Sequence, residues 1–259
     1  IAVSRALKAQ VTPNVALSLG ELVRSMNCYY SNLIEGHNTH PRDIDKALKE
    51  DYSADTKKRE LQLEAKAHIE VQQLIDSVDS TNLISEDYIC WIHHEFCSRL
   101  PEELLWVTNP DSGKKIKVIP GVLRDGDVQV GRHLAPRPES LKHFLNRFGE
   151  AYSTEKLSKL RQIIAVAASH YRLLWIHPFY DGNGRVTRLF SHSYLRHIGI
   201  GNSLWSISRG LARRVSDYKA LLMKADEPRR GDLDGRGSLT SAGLTDFCIF
   251  FLETCIDQV

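Results

Sequence analysis

From Leu160 onward the apolar residues fall at helical spacing, and then a proline stops the pattern. Ile163, Ile164, Ala167, Tyr171, Leu174 and Trp175 lie on one stripe of a helix. Pro178 disfavours helical geometry at His177, so the helix ends about there. The same period returns around Val71, Leu74, Ile75 and Val78, and around Tyr88, Ile89, Ile92 and Phe96. It runs again through Leu141, Phe144, Leu145 and Phe148, through Leu211, Val215, Tyr218 and Leu222, and through Leu244, Phe247, Phe251 and Cys255. This many amphipathic helices make the fold mainly α. The exception is Leu105 to Pro138, where Ile116 and Val118, then Val128 and Val130, flank "RDGD". An Asp-Gly turn between β-branched residues predicts a hairpin there.

Several function classes are disfavoured by composition. The net charge is +2, so no basic surface calls for nucleic acid. Lys57-Lys58-Arg59 reads as a solvated helix face. No apolar run is long enough to cross a bilayer. The chain starts at Ile1, not Met, and shows no signal-peptide pattern. Cys28, Cys90, Cys97, Cys248 and Cys255 are odd in number and sit in apolar helical stretches, so free buried thiols in a reducing compartment are expected. In "HHEFC" Ser98 stands where a zinc-binding H-E-x-x-H would need its second His, leaving plain helix.

The stretch "HPFYDGNGRVTR", His177 to Arg188, carries the chemistry. Gly182-Asn183-Gly184 connects the helix before it to one predicted to start near Arg185 or Val186. Glycines let the backbone turn and approach a ligand closely. A helix N-terminus offers unpaired N–H groups to phosphate. Arg185 and Arg188, three apart, both flank the first turn, and guanidinium groups grip phosphate oxygens. Asp181 is an oxygen ligand suited to Mg²⁺ on phosphates. His177 is a base that works near neutral pH. Together these describe a phosphoryl- or nucleotidyl-transfer site.

Turn geometry alone would explain Gly182 to Gly184 but not His177, Asp181 and both arginines. A calcium loop starting at Asp181 fails because His192 stands at its twelfth position. "DLDGRGSLTSAG" from Asp232 fails too, with Arg236 in place of its third acid and Gly243 in place of its final Glu. Neither a Walker phosphate loop nor a dinucleotide G-x-G-x-x-G is present.

These twelve residues resemble the Fic family signature, H-P-F-x-[D/E]-G-N-G-R-x-x-R, at every fixed position. "GVLRDGDVQVGRHLAP", Gly121 to Pro136, is similar to the family's G-x-x-R and flap hairpin, and "SDYKALLMKAD" and "FCIFFLE" to its closing helices. The resemblance implies a Fic-type helical bundle core with a short β-hairpin flap and an N-terminal helical segment. It implies transfer of AMP from ATP, with Mg²⁺, to a Ser, Thr or Tyr hydroxyl of a target protein. His177 then resembles the base and Asp181 the Mg²⁺ ligand. Gly182 belongs to the phosphate nest, and Asn183, Gly184 and Arg185 resemble the phosphate-holding positions. Arg188 resembles the γ-phosphate clamp and Phe179 the apolar anchor of the loop. Val128, Gln129, Val130 and Gly131 correspond to the flap that holds a target segment. Tyr218 resembles a residue lining the adenine pocket, and core packing explains it equally well.

"SNLIEG", Ser31 to Gly36, places Ser31 and Glu35 on one helical face, with Gly36 free to end the helix. Read alone, Glu35 is a surface acid. Beside a Fic core the stretch resembles the family's inhibitory motif, [S/T]-x-x-x-E-[G/N], and implies that Glu35 pairs with Arg188 and occupies it. The expected organisation is an N-terminal helical segment with the inhibitory motif over residues 1–60 and a Fic core over 61–259. Other readings stay open: removal of AMP with Glu35 orienting water, transfer of another phosphate-containing group, or a binding module without catalysis. Self-modification and homo-oligomerisation stay open as well.

Overall fold

The computed structural model describes residues 6, 11–78, 82–109, 112–200 and 204–259. Residues 1–5 and 7–10 of the N-terminal segment, and 110–111 of the expected β region, lie outside the described residues. Among the described residues ten α-helices dominate, with two small two-stranded sheets. The first three helices are α1 (Pro13–Ile34), α2 (Pro41–Leu48) and α3 (Thr56–Ser77). The rest are α4 (Glu86–Cys97), α5 (Leu141–Tyr152), α6 (Lys159–Ile176), α7 (Asn183–His197), α8 (Ile207–Arg213), α9 (Val215–Ala225) and α10 (Ser241–Gln258).

The starts are chemically marked. Asp55 accepts the Lys58 N–H at 2.9 Å and Ser85 accepts the Tyr88 N–H at 3.1 Å, each satisfying an orphan donor of its helix. Helix α1 starts on Pro13 and stops at Gly36, whose φ of +86° suits glycine. Helix α7 is central: twelve of its fifteen residues are buried. It packs on α6 and α4, with α3 across it, while α10 covers α6, α8 and α9. The core runs through Val166, Tyr171, Phe179, Phe190, Tyr194, Phe247 and Phe251. A second small cluster, Cys28, Ile44, Ala65 and Ile69, joins α1, α2 and α3.

The expected elements needed four adjustments. On α6 Ile164 is exposed and Val166, His170 and Leu173 are buried instead. That helix is enclosed by α5, α7 and α10, and Ala165, Ala167 and Ala168 supply close contacts where a single large-residue stripe was expected. The run Leu211 to Leu222 is two helices broken at Arg214. Helix α7 starts at Asn183, two residues early, because Gly182 at φ +79° turns the chain directly into it.

The fourth adjustment concerns the hairpin. Strand β1 (Trp106–Thr108) pairs antiparallel with β2 (Lys115–Lys117), and β3 (Gln129–Val130) with β4 (His133–Leu134). Ile116 and Val130 therefore belong to different hairpins, and "RDGD" turns neither. Arg124 explains why: its guanidinium, 3% exposed with its residue, donates to the Gly126 and Pro136 carbonyls at 2.8 and 2.5 Å. Those bonds fold the segment around the arginine, away from a β ladder.

Candidate active site

The motif loop is built around three fixed points. Helix α6 ends at His177, which adopts φ 48° and ψ 63°, a left-handed conformation uncommon for a residue with a side chain. Its N–H donates to the Leu173 carbonyl at 3.1 Å, and Arg124 Nε donates to its carbonyl at 2.8 Å. Phe179, fully buried, lies flat on the His93 ring, centroids 3.8 Å apart at 3°. Asn183 closes the loop by accepting the Phe179 N–H at 3.0 Å and donating to its carbonyl at 2.8 Å.

The loop so held presents His177 in one tautomer. Its Nδ1 lies 3.3 Å from the Leu174 carbonyl, which only accepts, so Nδ1 carries the proton and Nε2 keeps a lone pair. Burial, with His133 and Arg124 nearby, pushes its pKa down to about 4, so the ring is neutral at pH 7.

Arg188 points from α7 to the end of α1 and is 2% exposed. Its Nε donates to Ser31 Oγ at 2.8 Å, and its Nη2 to Glu35 Oε1 at 2.5 Å and to the Ser31 carbonyl at 3.3 Å. Burial would raise the Glu35 carboxyl, but the charge and hydrogen bond of Arg188 outweigh it and hold it below the usual range. Gly184 makes this approach possible, because a Cβ there would run into the Glu35 carboxylate.

Arg185 turns the other way. Its Nη1 pairs with Glu64 Oε2 at 2.8 Å, its plane lies over Phe96, and its Nη2 is 3.8 Å from Asp181. Glu64 also meets His37 Nδ1 at 3.2 Å. Burial works against the Glu64 charge, yet His37 and Arg185 together hold its carboxyl low. Glu64 belongs to a polar seam: Glu64, His68, Gln72 and Asp76 recur every fourth residue along α3. Asp76 meets His192 at 2.7 Å, and His68 and Gln72 line a small hole with Arg188 and His192.

A cavity of about 420 Å³ gathers His177, Gly184, Arg188, Tyr218 and Glu35, with Val130 and Gly131 at its rim and Leu174, Leu222 and Met223 in its walls. The remaining sequence-derived positions stand outside its lining. Asp181 is half-exposed, Ser31 lies behind Arg188, Asn183 faces Phe179, and Gly182, Arg185, Gly36, Val128 and Gln129 face elsewhere. Tyr218 lines the cavity while 2% exposed in the core. His133 in β4 donates Nε2–H to the Trp175 carbonyl at 2.8 Å and lies 3.4 Å from Asp226, tying the hairpin to the end of α9.

Sequence reasoning missed Glu64, His93, His133 and His170. For Glu64 a signal existed, the acid-His-Gln-acid period of four along one helix. His93, His133 and His170 had none, because each acts through a partner distant in the chain.

Asp181 offers a hard oxygen with open space around it. One carboxylate oxygen accepts the Gly182 N–H at 2.6 Å, and the side chain is 52% exposed. That donor fits Mg²⁺, which takes one or two carboxylates and completes its shell with water and substrate phosphate.

Residues 83–195 match the Fic/DOC family. Over 79 residues the chain is 39% identical to the protein adenylyltransferase Fic of Drosophila erecta, a match covering 30% of this chain and 16% of that protein. The same share holds for the Drosophila melanogaster relative, so the chain matches only a small part of the curated fly proteins. Among solved structures, a Fic family protein from Desulfovibrio desulfuricans superposes with TM-score 0.69 at 17% identity, over 97% of this chain and 66% of that one. A Fic domain containing signaling protein from Bacteroides thetaiotaomicron gives 0.66 at 19%, over 95% and 88%. Fic-1 (residues 134–508) from C. elegans gives 0.62 at 18%, over 90% and 59%. The motif loop lies inside the matched stretch and the helical architecture around it is shared, so the chain carries a Fic-type domain over residues 83–195.

Proposed function

We propose that the protein transfers AMP from ATP to a hydroxyl side chain of a target protein, and that Glu35 holds this activity in check. The observation that carries the reading is the shared cavity, in which an unprotonated His177 Nε2, Arg188 and Glu35 meet beside an apolar slot. His177 would accept the target hydroxyl proton, which stays on the imidazole as the oxygen attacks the α-phosphorus and pyrophosphate leaves. The start of α7 and Arg188 would hold phosphate. Mg²⁺ on Asp181 would neutralise phosphate charge. The edge of β3 would align the target backbone.

While Glu35 sits on Arg188, that guanidinium is not free for a nucleotide. Residues 1–60 act as the regulatory segment and 61–259 as the transfer unit, α3 crossing the boundary. The five unpaired thiols suit a reducing cytoplasm. A second reading, removal of AMP, is favoured by one observation: the Glu35 carboxylate is 34% exposed and lines the His177 cavity, where it could orient water.

Labelling from radioactive ATP tests both readings. Glu35→Gly should label itself or added proteins more strongly than wild type, and Glu35→Gly with His177→Ala should fall by about 10²–10⁴-fold. Equal, low labelling by wild type and Glu35→Gly, with ATP bound to both, rejects the brake. Release of AMP from a labelled protein by wild type alone favours removal.

A further inference from the structure

His170 is fully buried, seven residues before His177 on α6, and no step above uses it. Its two nitrogens face two hydroxyls: Nδ1 is 2.7 Å from Ser191 Oγ, and Nε2 is 2.8 Å from the Tyr218 oxygen. The directions follow from what each atom can do. Ser191 donates its proton to the Thr187 carbonyl at 2.9 Å, since a carbonyl only accepts. Ser191 Oγ must then accept, so His170 Nδ1 carries the hydrogen. Burial and the Arg188 charge keep the ring neutral, its pKa pushed down to about 3, so Nε2 has no hydrogen and accepts from the Tyr218 hydroxyl. Burial also pushes the Tyr218 phenol up, so it keeps its proton. That proton is committed to His170, which leaves the oxygen's lone pairs as acceptors, and Tyr218 lines the same cavity as Arg188, whose charge acts on the phenol.

We infer that Tyr218 is a positioning residue for Arg188, with its hydroxyl fixed as an acceptor by the His170–Ser191 relay. The inference rests on the proposed role of Arg188 as a phosphate-binding group. Its consequence is a division of labour among the groups around that arginine. Ser31 and Glu35 belong to α1, whereas Tyr218 belongs to the core helix α9 and stays when Glu35 is gone. Tyr218 then keeps the freed guanidinium in the cavity, where triphosphate arrives. A residue serving only as a wall for the base would act on every adenine nucleotide alike. Tyr218, acting through Arg188, would discriminate by the length of the phosphate chain.

The test uses the Glu35→Gly protein and calorimetric Kd values for ATP and for AMP. Tyr218→Phe should weaken ATP about tenfold, the loss of one hydrogen bond to a charged group, and leave AMP unchanged. His170→Gln, with an acceptor where Nε2 stood, should keep ATP affinity. His170→Asn, with no atom there, should lose it as Tyr218→Phe does. Equal weakening of ATP and AMP by Tyr218→Phe, or no change in either, overturns the inference.

If a buried substitution does not fold, ¹⁵N spectra of the Glu35→Gly protein decide. A hydrogen on Nδ1 of His170 supports the relay, and one on Nε2 overturns it. AMP transfer is measured in parallel. Phosphate-length discrimination without transfer rejects the proposed activity and leaves the relay standing. Transfer without discrimination rejects the relay alone. Failure of ATP to bind the Glu35→Gly protein rejects both.

Discussion

At the scale of single residues, His177 combines an unusual backbone with a single free nitrogen. Because burial lowers its pKa to about 4, the imidazole is already unprotonated well below neutrality. The groups facing it are His133, Arg124 and Glu35, and the first two oppose protonation. A base depressed in this way is available above its pKa and lost only as pH falls through it. The acid limb of kcat/KM for Glu35→Gly should therefore lie near pH 4, well below the ordinary histidine value of 6.5. A limb near 6.5 would show that another group is the base. His177, Gly184 and Arg188 stand in one local loop pattern, whereas Glu35 read alone is a surface acid and was singled out only through the family resemblance. That Asn183 braces Phe179 was not legible, since the same amide could serve a ligand or the backbone and only packing decides.

Among elements, the contact between α3 and α7 matters most to the site. Arg185 and Glu64 are both buried, with side chains 7% and 11% exposed. Replacing the acid leaves a guanidinium without its partner in a dry place. Glu64→Ala should cost about 3–5 kcal/mol of unfolding free energy, read from urea denaturation. Glu50→Ala, which breaks the exposed pair with Lys66, should cost no more than about 1 kcal/mol. A small loss for Glu64→Ala would mean that Arg185 relocates to solvent. Most of the helices were readable from their period, α2 excepted, with Arg214 the break the period hid. The hairpins were misplaced for a physical reason: an Asp-Gly pair is a strong turn signal, but here a buried arginine recruits the surrounding carbonyls before any ladder forms.

Across the whole molecule, four histidines set the response to acid, His177 at about 4 among them. His68 and His170 are pushed down to about 3 and His93 to about 4, in each case chiefly by burial. Above about pH 6.5 both folded and unfolded chains hold them neutral, and stability is at its plateau. Below it the unfolded chain binds protons that the folded chain refuses, so stability falls until the folded values are reached. Each histidine contributes about 1.4 kcal/mol per pH unit in that window, and the four together about 5–6. Glu35, Glu64 and Asp76, held low by their cationic partners, add their loss only in a more acidic range. Urea midpoints between pH 7.5 and 4.5 should thus begin to fall near 6.5. A flat profile down to 4.5 would mean these rings are hydrated and protonated in the folded protein.

The polar seam also bears on how such a chain could be recombined. Two oily helix faces can be swapped between relatives because grease fits grease in several settings. Glu64, His68, Gln72 and Asp76 leave α3 no such freedom, since each meets a specific group on α7 or borders the hole beneath Arg188. Sliding α3 by one turn would set His68 beside Arg185 and strand the Glu64 carboxylate. A chimera drawing α3 from one parent and α7 from another would inherit a lock without its key. The two helices, separated by more than a hundred positions in the chain, are therefore expected to travel as a matched pair.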